Sequence, residues 1–159
     1  MSIRQHDFTL ERRFPQTPAQ TFQAFADPAL KCRWFSVPDS WTESDWSLDF
    51  RVGGGELNAG RDNDGCLHLF RSRYHDIVDA ERIVFAYDLL LDDRLISVSL
   101  TTIQFEPGEY GGTHLIFTEH GAFFDELEDP ALREHGTGLL LDRLGALLAT
   151  SSSRSGVAA

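Results

Sequence analysis

The strongest constraint in this chain is its end. Leu132, Leu140, Leu141, Leu144, Leu147 and Leu148 recur at three- and four-residue spacing, with Asp142 and Arg143 between them. That periodicity predicts one long amphipathic helix. Asp129-Pro130 supplies its start, an Asp cap followed by proline at the first helical position. Almost everything before it reads as strand: 8–14, 44–50, 56–59, 67–77, 83–90, 95–105 and 113–120, joined by Asp-, Gly- and Pro-bearing turns. Strands and helices do not alternate, so a parallel sheet is not expected. An antiparallel sheet with one apolar face must cover it, and a single long helix is available for the task.

Two short helices interrupt the strands near the N-terminus. Thr17-Pro18 is a hydroxyl cap before a proline, and Phe22, Phe25 and Ala26 follow at helical spacing. Pro28 ends or kinks that helix, and a second short helix carries Trp34 and Phe35 before a loop over 37–43. Gly53-Gly54-Gly55 reads as a tight hairpin turn needing positive φ, since no Lys-Ser/Thr follows to make it a phosphate cradle. Gly136 and Gly138 each cost the last helix about 1 kcal/mol relative to Ala, which marks a kink or a close approach to the sheet. Residues 1–150 are expected to form a single domain, with 151–159 a disordered tail.

The order of several stretches carries a resemblance. Thr17 to Pro28 leads to Trp34-Phe35, then Asp49-Phe50-Arg51-Val52-Gly53-Gly54, Tyr74-His75-Asp76-Ile77 with Arg82-Ile83-Val84, and Gly112-Thr113-His114-Leu115-Ile116-Phe117-Thr118. From Phe8 to Leu148 the succession resembles the heat-shock-protein-ATPase activator homologue family of the START-like superfamily. The resemblance implies an α+β helix-grip fold: a curved antiparallel sheet wrapped around the long C-terminal helix, with two short N-terminal helices. It also implies an interior cavity for a small apolar or amphipathic molecule. The alternative is an interior plugged by the chain's own Phe and Leu side chains. Many members carry a Gly-Trp pair early in the last helix, where this chain has Gly138-Leu139. A larger or differently shaped pocket follows. Nothing resembles the second, chaperone-contacting domain of the co-chaperone that names the family, so direct activation of a chaperone ATPase is not expected.

Strand alternation selects a candidate lining. On 67–74, His68, Phe70, Ser72 and Tyr74 share a face, and Arg71 and Arg73 mark the other as solvent. On 95–105, Ser99, Thr101, Ile103 and Phe105 share a face, and Leu115, Phe117 and Glu119 continue it on the next strand. Leu140 and Leu144 face them from the helix, while Trp34, Phe35, Trp41 and Trp46 supply an aromatic mouth.

Catalytic and metal signatures are not apparent in the spacing. His75-Asp76 and Glu119-His120 are strand neighbours and point to opposite faces, so neither pair forms a dyad. His114 and His120 lie about 20 Å apart along a strand. Cys32 and Cys66 lack paired-ligand spacing, and no metal or cofactor is expected. Glu119 stands out: inside a cavity its pKa would rise and it would bind or protonate a ligand, and on the rim it would pair with an arginine.

The net charge of −11, with Lys31 the one lysine, argues against nucleic acid and anionic membranes. The first residues have no apolar run and no stretch approaches a membrane span, so a cytoplasmic protein with reduced thiols is expected. Three roles remain open: a small-molecule-binding protein without a reaction, a cyclase- or hydrolase-type enzyme acting on a hydrophobic substrate, and a stress-related accessory protein, with a homodimer possible.

Overall fold

Thr17 and Pro18 open α1 (Pro18–Ala26) through a reciprocal capping box. The Gln20 amide donates to the Thr17 hydroxyl at 3.1 Å, and the Thr17 amide donates to the Gln20 side chain at 3.0 Å. Asp27 ends that helix and caps α2 (Pro28–Trp34), accepting from the Ala29 amide at 3.0 Å. The elbow buries Phe22, Phe25 and Trp34, and the Trp34 indole donates to the Ala24 carbonyl at 2.8 Å. The structure, a computed structural model, describes residues 2–158, with side chains as far as Ser151. From residue 152 on, the tail expected at 151–159 lies outside the described side chains.

Seven strands form one antiparallel sheet: β1 (Ile3–Phe14), β2 (Thr42–Leu48), β3 (Glu56–Arg61), β4 (Leu67–Val78), β5 (Arg82–Leu91), β6 (Arg94–Pro107) and β7 (Thr113–Phe124). Their order is β1-β7-β6-β5-β4-β3-β2. β1 and β7 run longer than their sequences predict, because Ile3 to Asp7 pair with His120 to Phe124. The Ile3 end is exposed and Gly121-Ala122 has no strand signature, so backbone pairing extends them without an apolar pattern. Register shifts opposite Glu43, His75 and Ile96 bend the sheet. At the last, Ile96 and Ser97 are both buried and the alternation then resumes through Ser99, Thr101, Ile103 and Phe105.

The triple glycine is not a tight turn. A seven-residue segment, 49–55, links β2 to β3, and of the three glycines only Gly53 has positive φ (+85°). Gly54 and Gly55 are needed because the backbone presses on β4. The Tyr74 amide donates to the Gly54 carbonyl at 2.9 Å, and a Cβ on Gly55 would sit 2.0 Å from the Ser72 carbonyl oxygen.

The terminal helix α3 (Pro130–Ala158) starts at Asp129, whose carboxylate accepts from the Ala131 amide at 3.0 Å. It packs on β1, α1 and α2. Leu141, Leu144, Leu147 and Leu148 enter the core beside Phe8, Phe14, Phe105 and Leu115. Leu132 does not join them and is 64% exposed. The core-facing stripe runs from the partly buried Arg133 through the buried Thr137, Leu141, Leu144 and Leu148, while Leu132, Gly136 and Leu140 form a neighbouring stripe one step round the helix. Curved antiparallel sheet and long terminal helix together are the helix-grip arrangement. No helix among the described residues is long and apolar enough to cross a membrane.

Candidate functional site

The second stripe of α3 borders a pocket of about 610 Å³ between the helix and the inner face of strands β3 to β7. Phe70, Phe85, Leu89, Ile103 and Phe117 make its floor. Trp34, Phe35, Val37, Pro38 and Trp41 wall it from α2 and the following loop. Leu132, Gly136, Leu140 and Leu141 wall it from α3. β5 contributes through its odd positions, Phe85, Tyr87 and Leu89, which alternate inward as a half-buried strand requires.

One end of this apolar space is polar and buried. Arg133 is placed there because it is one turn before Thr137 on the core-facing stripe of α3. Its guanidinium grips Glu128 through Nε at 2.8 Å and Nη2 at 3.0 Å, and donates from Nη2 to Ser97 at 2.8 Å and from Nη1 to the Tyr87 hydroxyl at 2.9 Å. The Tyr87 and Thr101 hydroxyls each donate to Glu119 at 2.9 Å. Two rings lie near the cation, with the guanidinium carbon 4.8 Å from the Phe123 centroid and 5.6 Å from that of Tyr87.

Burial raises the Glu119 pKa, opposed by the two hydroxyl donors and the Arg133 charge. Burial and then the Glu119 charge push the Tyr87 phenol above its usual range. Burial works against the charge on Arg133, but Tyr87, Glu128 and Glu119 outweigh it and raise its pKa. Glu119 is thus inside, 2% exposed, and meets Arg133 through Tyr87 instead of a rim salt bridge.

The other side of the pocket holds a buried ion pair. Lys31 Nζ lies 2.6 Å from Glu56, whose second oxygen accepts from the Trp46 indole at 2.9 Å. The ammonium also sits 4.6 Å from the Phe35 ring centroid. Both side chains are almost wholly inaccessible, so removing either leaves the other buried without its partner.

Of the candidate lining, Trp34, Phe35, Trp41, His68, Phe70, Ile103, Phe117, Glu119 and Leu140 border the pocket. The other candidates lie outside its lining. Trp46 and Ser72 serve Glu56, Ser72 by accepting its amide at 3.0 Å. Tyr74 packs edge-on against Phe50 and Phe85, and Phe105 against Phe22 and Phe25. Leu115 and Leu144 are fully buried core, Ser99 is buried beneath the floor, and Thr101 acts through Glu119. Arg51 pairs with Asp49 on the surface at 2.9 Å.

Sequence reading missed Arg133, Tyr87, Glu128 and Lys31. The signal for Arg133 was its i, i+4, i+8 relation to Thr137 and Leu141; that for Tyr87 was the parity of β5. A further group was missed. Asp62, Cys66 and His68 offer donor atoms within 4.8 Å of one another at the β3–β4 hairpin, the one such His/Cys/acid triplet among the described residues. His68 belongs to the pocket as well, its ring tilted against Trp41 at 4.5 Å between centroids.

Known proteins share this architecture. A protein of Rhizobium leguminosarum of known structure is 40% identical, superimposes with a TM-score of 0.88, and is matched over 94% of this chain and 97% of its own. A Rhizobium loti protein is 40% identical with a TM-score of 0.85, over 92% and 99% of the two chains. A Chromobacterium violaceum protein is 28% identical with a TM-score of 0.72, over 89% and 96%. No curated protein is significantly similar to the chain. The profile of the family described as Activator of Hsp90 ATPase homolog 1-like protein matches residues 15–149. With that match spanning most of its length, the chain belongs to the Activator of Hsp90 ATPase homolog 1-like family.

Proposed function

We propose that the protein binds a small amphipathic molecule in the pocket beside α3. The carrying observation is a polar network, Arg133–Tyr87–Glu119 with Glu128, buried at Tyr87 and Glu119 and partly buried at Arg133 and Glu128, at one end of walls that are otherwise aromatic and aliphatic. Pockets that orient a ligand combine those two features. The apolar body lies against Phe35, Phe70, Phe117 and Leu140. The polar end meets two carboxylates and one guanidinium, so a hydroxyl, amide or amine is favoured over a carboxylate.

Native mass spectrometry of the protein as purified, beside a Gly136→Leu variant, tests this. The wild type is expected to carry a compound released on denaturation, or to bind an uncharged solvatochromic dye, and the variant to do neither. No compound and no dye binding in the folded wild type overturns the proposal.

A second reading, an enzyme acting on the same ligand class, is favoured by Glu119: a buried carboxyl with a raised pKa is suited to proton transfer. It requires that Glu119→Gln abolish turnover of the identified compound while the compound still binds.

A further inference from the structure

We propose that Asp62, Cys66 and His68 form a site for a zinc-like divalent cation at the rim of the pocket. The three donors are brought together by hairpin register. The Asp62 amide donates to the Cys66 carbonyl at 2.9 Å and the Gly65 amide to the Asp62 carbonyl at 3.0 Å, which closes the 62–66 turn and sets Asp62 opposite Cys66. His68 lies two residues further on, paired with Gly60, and therefore shares the face of Cys66. Asp62 Oδ1 is held in place by the Asp64 and Cys66 amides, each at 2.9 Å, and Oδ2 meets His68 Nε2 at 2.8 Å.

The donor chemistry selects the cation. Thiolate with imidazole and carboxylate suits zinc, whereas calcium and magnesium require an all-oxygen shell. Tetrahedral zinc places such donors about 3.3–3.6 Å apart. The group already lies within 4.8 Å, and all three side chains are only partly buried, so they have room to adjust. A fourth potential ligand, the Asp92 carboxylate, stands close by for an independent reason. The Leu67 amide donates to Asp92 at 2.8 Å, and the Asp92 amide donates to the Leu67 carbonyl at 2.9 Å, so the β5–β6 turn is pinned beside the cluster. The neighbouring cation, Arg61, is engaged elsewhere, by Glu43 at 2.9 Å and by the Gly65 carbonyl at 2.6 Å. Because His68 also lines the pocket, an ion held here would stand next to Trp41 at the ligand's entrance.

Cobalt(II) titration of the tag-free full-length protein reads the site directly. A saturable thiolate-to-cobalt charge-transfer band at one ion per chain, bleached by zinc, is expected. Cys66→Ser is expected to abolish the band, His68→Gln to weaken cobalt binding at least tenfold, and Cys32→Ser to leave both unchanged. Circular dichroism establishes that each variant is folded, and the serine for cysteine exchange is close to isosteric at a partly exposed position. A wild type without a saturable band overturns the proposal, as does a band that survives Cys66→Ser or is lost with Cys32→Ser.

Discussion

Tyr87 donates its hydroxyl proton to Glu119 across 2.9 Å, and both are buried. The arrangement makes Glu119 a pH-dependent element of stability. Its pKa is raised above the ordinary 4.5, so between that value and the raised one the folded state binds more protons than the unfolded chain. Its contribution to stability therefore falls as pH rises through that window and is level above it. Glu119→Gln removes this slope. Urea unfolding from acid to neutral pH should show the variant gaining on the wild type as pH increases. A constant difference across the range would mean that the Glu119 pKa is the same in the folded and unfolded protein.

Lys31 and Glu56 make a second test. Removing one partner, as in Lys31→Met or Glu56→Leu, should cost about 3–5 kcal/mol, because a buried charge or its hydrogen bonds are left unmatched. The double replacement Lys31→Met with Glu56→Leu should recover most of that loss. A double-mutant cycle by denaturant unfolding reads the coupling. Simple additivity of the two losses would show that the ion pair does not act as a unit.

At Gly136 the space an added Cβ would enter is open, with nothing within 4 Å. Gly136→Ala should stabilise the protein by about 0.5–1 kcal/mol through helix propensity alone, seen as a raised urea midpoint with unchanged slope.

Gly55 predicts the opposite sign. Its Cβ would stand 2.0 Å from the Ser72 carbonyl oxygen, and backbone cannot swing aside as a side chain does. Gly55→Ala should cost about 1–3 kcal/mol or more, and amide exchange should quicken first along β3 and its β4 partners.

The elements were legible where local chemistry alone decides them. Thr17-Pro18 and Asp129-Pro130 announce helix starts, and the inward sequence Ser99, Thr101, Ile103, Phe105 on β6 follows from alternation. The curved sheet and long helix were likewise implied by the family resemblance. What sequence reading could not place was the boundary between core and pocket. Leu144 and Leu140 look alike in the helical pattern, yet four residues separate a fully buried side chain from one beside the pocket. Tyr74 and Phe70 share a face of β4 and part in the same way, because the 49–55 segment brings Phe50 over Tyr74. Asp62, Cys66 and His68 needed the exact closure of a turn before their proximity could be read.

The two adjacent stripes of α3 separate holding from gripping. Leu144, Leu147 and Leu148 anchor the rod to the molecule, while Leu132, Gly136 and Leu140 face the pocket from its flank. Substitutions along the flank can reshape what is accommodated and leave the anchorage intact. The space beside such a helix can be remodelled over evolution without first making the fold unstable.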